Sequence, residues 1–89
     1  MTAHTTHPDV IKRLKRAQGH LKSILAMLEE DRGCLEIAQQ LQAVEKAIGS
    51  AKRTLVHDHI EHCLESSVRA GGDNADETIR EFKEITKYL

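Results

Sequence analysis

Aromatic residues are nearly missing: the 89-residue chain has one Phe, one Tyr and no Trp. Its apolar inventory is Leu, Ile, Val and Ala, which suits helix packed on helix. No apolar run approaches the roughly 18 residues of a membrane-spanning helix. No signal-peptide hydrophobic region opens the chain, so a cytoplasmic protein is expected. Strand patterns and internal repeats are absent as well. There is no phosphate-binding loop, no paired acid and base and no nucleophile with its activating partners, so an enzyme is not expected. Cysteine occurs only at Cys34 and Cys63. In a cytosolic chain two cysteines more often serve metal or redox chemistry than a structural disulfide.

The length of 89 residues allows a single domain, 1–89. A chain this short buries only about 60% of its unfolded surface. Three amphipathic helices of that size leave apolar stripes uncovered, so an obligate oligomer is expected. The formal net charge of −1 hides an uneven distribution.

Residues 1–7 are polar and read as a flexible tail. Removal of the initiator Met would leave Thr2-Ala3-His4 at the amino terminus. There the amine, the amides and the His4 imidazole can chelate square-planar Cu(II) or Ni(II); a disordered tail is the plainer reading. Thr6-His7-Pro8-Asp9 reads as a helix start, with Thr6 capping, Asp9 reaching back and Pro8 in the first turn. Val10, Leu14, Ala17, Leu21, Ile24 and Leu28 then recur at steps of 4, 3, 4, 3 and 4, a heptad-like stripe. Lys12, Arg13, Lys15, Arg16 and Lys22 occupy the rest of the surface. No acid falls between Asp9 and Glu29, so this segment alone carries five positive charges. Solvated faces usually mix both signs; a one-sign face favours an anionic partner.

Glu30-Asp31-Arg32-Gly33 reads as a turn, with Gly33 as the stop. Ile37, Leu41, Val44, Ile48, Ala51 and Leu55 repeat the same rhythm after it, and no proline interrupts the run. One helix from about 34 to 69 is predicted, long enough to suggest packing between chains. Its middle holds Ala47-Ile48-Gly49-Ser50-Ala51, small residues that would let another helix approach. Gly71-Gly72-Asp73-Asn74 breaks the chain. Ala75, Ile79, Phe82, Ile85 and Leu89 mark a third helix over about 75–88, after a first over about 7–30.

The chemistry is concentrated in His57-Asp58-His59-Ile60-Glu61-His62-Cys63. On a helix His59 and Cys63 are four apart and share a face. They can hold two corners of a soft or borderline metal site. Cys34, the natural third donor, is 25 residues before His59, roughly 37 Å away along a continuous helix. One chain cannot bring them together. Two copies packed antiparallel can, placing Cys34 of one beside His59 and Cys63 of the other, with a twofold axis near residues 47 to 48. A site split in this way couples occupancy to quaternary structure, as a sensor requires.

Three segments carry a resemblance: Arg13-Leu14-Lys15-Arg16-Ala17-Gln18-Gly19, Cys34-Leu35-Glu36-Ile37-Ala38-Gln39-Gln40-Leu41, and the His57–Cys63 run. Together they are similar to the CsoR/RcnR/FrmR family of small all-helical bacterial repressors, which includes sensors of copper, of nickel or cobalt, and of formaldehyde. The resemblance implies an antiparallel helical dimer, paired into a disc-like homotetramer around a four-helix-bundle core. It implies binding of operator DNA by the metal-free form without a helix-turn-helix, and release when the inducer binds, freeing metal efflux or resistance genes.

Cys34, His59 and Cys63 fall on the Cys-His-Cys trio of the family's Cu(I) sensors, and two thiolates with one imidazole suit Cu(I). Nickel and cobalt sensors add an N-terminal ligand whose place falls at Thr2 here. His4 or the Thr2 amine could serve instead, which keeps Ni(II) or Co(II) open. Cys63 and Thr2 argue against a formaldehyde sensor and His59 against a persulfide sensor, though a reactive Cys34/Cys63 pair stays open. Gly33 stands where a tyrosine often precedes the first cysteine of the Cu(I) sensors. For DNA the resemblance points to Arg13 and Arg16, with Lys12, Lys15, Lys52 and Arg53 widening the patch. His20 reads as structural or DNA-facing.

Overall fold

The computed structural model describes residues 6–69 and 75–89. Three helices make up the described chain: α1 (His7–Glu29), α2 (Cys34–Arg69) and α3 (Ala75–Thr86). The fold is all-α, and no strand occurs among the described residues. The second helix has the bounds its heptads predict. α1 ends one residue before 30. α3 ends at Thr86 rather than 88 because its last turn tightens: the amides of Lys87, Tyr88 and Leu89 donate to carbonyls three residues back, at 3.3, 3.1 and 3.3 Å, in the manner of a 3₁₀ turn. The expected break at Gly71–Asn74 and the Thr2 and His4 positions lie outside the described residues.

The described residues form two compact units, one of Pro8–Lys52 and one that includes Arg53–Leu89. In the first, α1 folds back antiparallel on the first half of α2. Ile24, Ile37 and Val44 form its core, with Met27 packed against them. Two side-chain hydrogen bonds set the register: His20 Nε2 with Gln40 Oε1 at 2.6 Å, and Arg13 Nη1 donating to Ser50 Oγ at 3.2 Å. His20, read from the sequence as structural or DNA-facing, thus takes part in the α1–α2 contact.

The heptad stripes divide into two rows. Val10, Ala17 and Ile24 of α1 are buried, as are Ile37, Val44 and Ala51 of α2. The alternate members stay open: Leu14, Leu21 and Leu28 are 44, 40 and 52% exposed, and Leu41, Ile48 and Leu55 are 47, 41 and 38% exposed. A 4-3 stripe presents two rows, and one neighbouring helix covers only one of them. The small-residue segment divides in the same way. Ala51 is buried and Ser50 accepts from Arg13, while Ala47 and Ile48 face outward.

The helix ends differ from their sequence reading. Thr6 stands at the cap position of α1, yet its hydroxyl is buried without a hydrogen-bond partner among the described residues. Asp9 does not reach back to it, because Arg13 one turn on takes the carboxylate at 2.9 Å. At the other end Asp31, not Gly33, is the stop. It adopts φ 55°, its amide donates to Leu28 at 3.2 Å and the Arg32 amide donates to Met27 at 3.0 Å. These 5→2 and 6→1 bonds close the last turn through a left-handed residue. Gly33 has the opposite job: its carbonyl accepts from the Ile37 amide at 3.1 Å, which makes it the N-cap of α2.

Two substitutions separate these roles in chemical denaturation at fixed protein concentration. Asp31→Gly should stabilise the fold by about 0.5–1 kcal/mol by removing the left-handed penalty. Gly33→Ser should cost nothing and gain a few tenths of a kcal/mol at most, since a Cβ there meets nothing within 4 Å. A loss of about 1 kcal/mol or more on Gly33→Ser would return the stop to Gly33.

Candidate metal centre

In the second unit α2 aims the side chains of the His57–Cys63 run in different directions. His57 is exposed. Asp58 is buried, and the imidazole of His62, one turn on, lies 3.4 Å from its carboxylate. His59 is half-buried and Cys63 is buried. The spacing of four residues puts these last two on one face, as their sequence predicts. α3 then adds a donor that sequence reading missed. Glu81 Oε2 lies 3.8 Å from Cys63 Sγ. One ligand atom each from His59, Cys63 and Glu81 lie within 4.8 Å of one another. Glu81 sits at the edge of the apolar stripe of α3, one residue before Phe82. Its sequence position gives no hint of which level of α2 it meets.

The thiol of Cys63 is held above its usual range. Burial is the largest cause, followed by the negative charge of Glu81 and then by the hydrogen bond to that carboxylate. All three favour the neutral thiol. A cation reverses the balance, because it stabilises the thiolate and offsets the carboxylate together. A buried thiol, an imidazole and a carboxylate with converging donor atoms fit a soft or borderline metal ion. A cavity of about 400 Å³ opens on the same place, lined by His59, Glu77, Arg80, Glu81, Glu84, Ile85 and Tyr88. Cys34 is exposed at the first position of α2 and is not one of the three converging residues.

The basic residues of α1 are not equivalent. Lys12, Lys15, Arg16 and Lys22 are exposed. Arg13 is tied to Asp9 and Ser50, with a side chain 45% exposed. Lys15 and Lys22 flank an open groove floored by Gly19, Leu21 and Leu25, with Gln18 between them. Lys52 and Arg53 on α2 are both exposed. No described helix is long and apolar enough to cross a membrane.

Comparison with known proteins gives a consistent picture. A profile of the family described as metal-sensitive transcriptional repressor matches residues 6–88. The copper-sensing transcriptional repressor RicR of Mycobacterium tuberculosis is 37% identical over 70 residues, 79% of this chain and 73% of that protein. The copper-sensing transcriptional repressor CsoR of Mycobacterium ulcerans is 40% identical over 75 residues, 82% of this chain but only 64% of that protein's length. The Bacillus subtilis CsoR is 36% identical over 81 residues, 89% of this chain and 80% of that protein. Among solved structures, the nickel-responsive transcriptional regulator InrS superposes with a TM-score of 0.84 at 27% identity, covering 100% of this chain and 99% of that one.

The Cys63–Glu81 pair makes a direct prediction. In a Cys34→Ser background, the pH profile of Cys63 alkylation should have its midpoint above that of an ordinary thiol, and Glu81→Gln should move it to lower pH by removing the adjacent charge. Identical profiles with and without the carboxylate would show that Glu81 does not act on the thiol.

Proposed function

Because the chain belongs to the metal-sensitive transcriptional repressors, we propose that it is a Cu(I)-responsive repressor that holds operator DNA when metal-free and releases it when Cu(I) binds. The observation that carries this reading is the convergence of His59 and Cys63 on one face of α2. Cys34 of one chain completes the trio with His59 and Cys63 of another. Two thiolates and one imidazole supply the soft, low-coordinate set that Cu(I) prefers. The copper-sensing relatives favour the same ion.

The open rows support the second copy. Leu14, Leu21 and Leu28 with Leu41, Ile48 and Leu55 are the surface an antiparallel partner would cover. Full burial of one such side chain is worth about 1.5–3 kcal/mol. Further pairing of dimers gives the homotetramer. In this reading the protein is cytoplasmic and has no catalytic role. Lys12, Lys15 and Arg16, with Lys52 and Arg53, contact DNA phosphates. Arg13 joins them by giving up Asp9 or Ser50, so its position is linked to the α1–α2 contact. Contacts of this kind position the protein and weaken steeply with salt. A 100-fold loss of DNA affinity on metal binding needs a coupling of only about 2.7 kcal/mol.

The likeness to InrS favours one second reading, a Ni(II)- or Co(II)-responsive repressor that recruits His4 or the terminal amine. Colour separates the two: Ni(II) or Co(II) bound to thiolate absorbs visible light, whereas Cu(I), with a filled d shell, does not. Deletion of residues 2–7 abolishes the response only in the second reading.

The test uses a fluorescent duplex from the chain's own promoter region. Cys34→Ala should bind it within about threefold of wild type and fail to release it with Cu(I). Release at normal Cu(I) would remove Cys34 from the centre. With the same duplex, Lys15→Ala should reduce the slope of log affinity against log salt by about one for each subunit whose Lys15 meets a phosphate. An unchanged slope would take Lys15 out of the DNA interface.

A further inference from the structure

We propose that a sugar-phosphate strand of the operator seats on α1 at Gly19, between Lys15 and Lys22, and comes closer to the helix there than any side chain would permit. The proposal rests on the reading that the metal-free protein holds DNA, and it assigns the place of closest approach.

The glycine itself is the first observation. Gly19 lies in the interior of α1, where glycine weakens a helix relative to alanine. Nothing within the described chain requires it. Its backbone is helical, and a Cβ at this position meets no atom within 4 Å. An exposed glycine that internal packing does not require marks a surface approached from outside the chain.

Its neighbours identify what approaches. Lys15, Gln18, Gly19 and Lys22 stand at i, i+3, i+4 and i+7, the four corners of one hole on a helix surface. All four are exposed, and they line one groove that continues over Leu21 and Leu25. Two corners are ammonium groups, one is an amide that can donate, and the fourth has no side chain. The positions three and four residues from Lys15 and from Lys22 include no acid, so neither lysine is paired along its own helix. The groove therefore has two positive ends, a donor on one side and bare backbone on the other. Lys15 and Lys22 are two turns apart, roughly 10.5 Å along the axis. Each can take a phosphate beside the one above Gly19, whose oxygen reaches the Cα hydrogens of the glycine.

A missing side chain also admits a second helix, but the charges oppose it. A twofold pairing of copies across this groove would set Lys15 and Lys22 of one chain against the same lysines of the other. Like charges brought together in this way repel. A nucleic-acid strand carries the opposite sign, and neutralising its phosphates releases their counterions. No acid falls between Asp9 and Glu29, so nothing on this helix opposes the strand along the length of the groove.

The test uses the full metal-free chain and the fluorescent duplex from its own promoter region, with assembly mass followed by sedimentation. Because a side chain at this position has free space within the chain, Gly19→Ala and Gly19→Leu should keep wild-type helicity, and Gly19→Ala should raise the denaturation midpoint. Both should nevertheless bind DNA more weakly, by about threefold or more for Ala and about thirtyfold or more for Leu. Lys22→Ala should lower the slope of log affinity against log salt by about one for each subunit whose Lys22 meets a phosphate. A gain of stability with a loss of DNA affinity separates contact with DNA from a structural role, which would move both in the same direction. Binding of Gly19→Leu within about threefold of wild type, a lowered midpoint for Gly19→Ala, or an unchanged slope for Lys22→Ala would each overturn the proposal. A changed assembly mass in either Gly19 variant would overturn it too, and give the groove to a second copy. Those outcomes leave operator binding standing. Failure of wild type to bind the duplex would remove both.

Discussion

A continuous helix spaces the donors it carries along its length, and this constraint governs the rest. α2 is helical from Cys34 to Arg69, and residues 25 apart in one helix cannot touch the same ion. A centre that uses Cys34 with His59 and Cys63 therefore needs a second, reversed copy of α2. Within one chain, α3 brings the Glu81 carboxylate beside His59 and Cys63.

The packing of the helices follows the same division. Each heptad gives one member to the chain's own core, such as Ile24, Ile37 and Val44, and leaves the next exposed, such as Leu21, Leu41 and Ile48. With so few aromatic side chains, the core has no large group to compensate for what remains outside. The interior row makes the hairpin of α1 on α2. The open row offers apolar surface to a second copy, and in the proposed reading Cys34 would make that association sensitive to metal. Arg13 connects the arrangement to the basic surface, since its bond to Ser50 spans the same α1–α2 contact.

The sequence made much of this legible because helical periodicity is a local property. The 4-3 stripes located α1 and α2, and the four-residue step joined His59 to Cys63. What it could not show depends on competition or on tertiary level. The stop of α1 fell to Asp31 because its left-handed backbone aims its own amide at the Leu28 carbonyl and the Arg32 amide at the Met27 carbonyl. Asp9 abandoned the cap because Arg13 was within reach. Glu81 was invisible because its role depends on the height at which α3 lies along α2, which no spacing within α3 encodes. Arg13 read with Arg16 as a DNA contact, and only the structure shows that it is held by Asp9 and Ser50.

Complementation tests most directly whether a Cu(I) centre is shared between two chains. Cys34→Ala on one chain and His59→Ala with Cys63→Ala on another each destroy every native site in their own homodimers. Unfolded together and refolded as a mixture, they should regain high-affinity Cu(I) binding, measured by chelator competition, to about a quarter of the wild-type site number, since half the dimers are mixed and each carries one intact site. A mixture that binds no more than the sum of its two components would contradict a centre divided between chains.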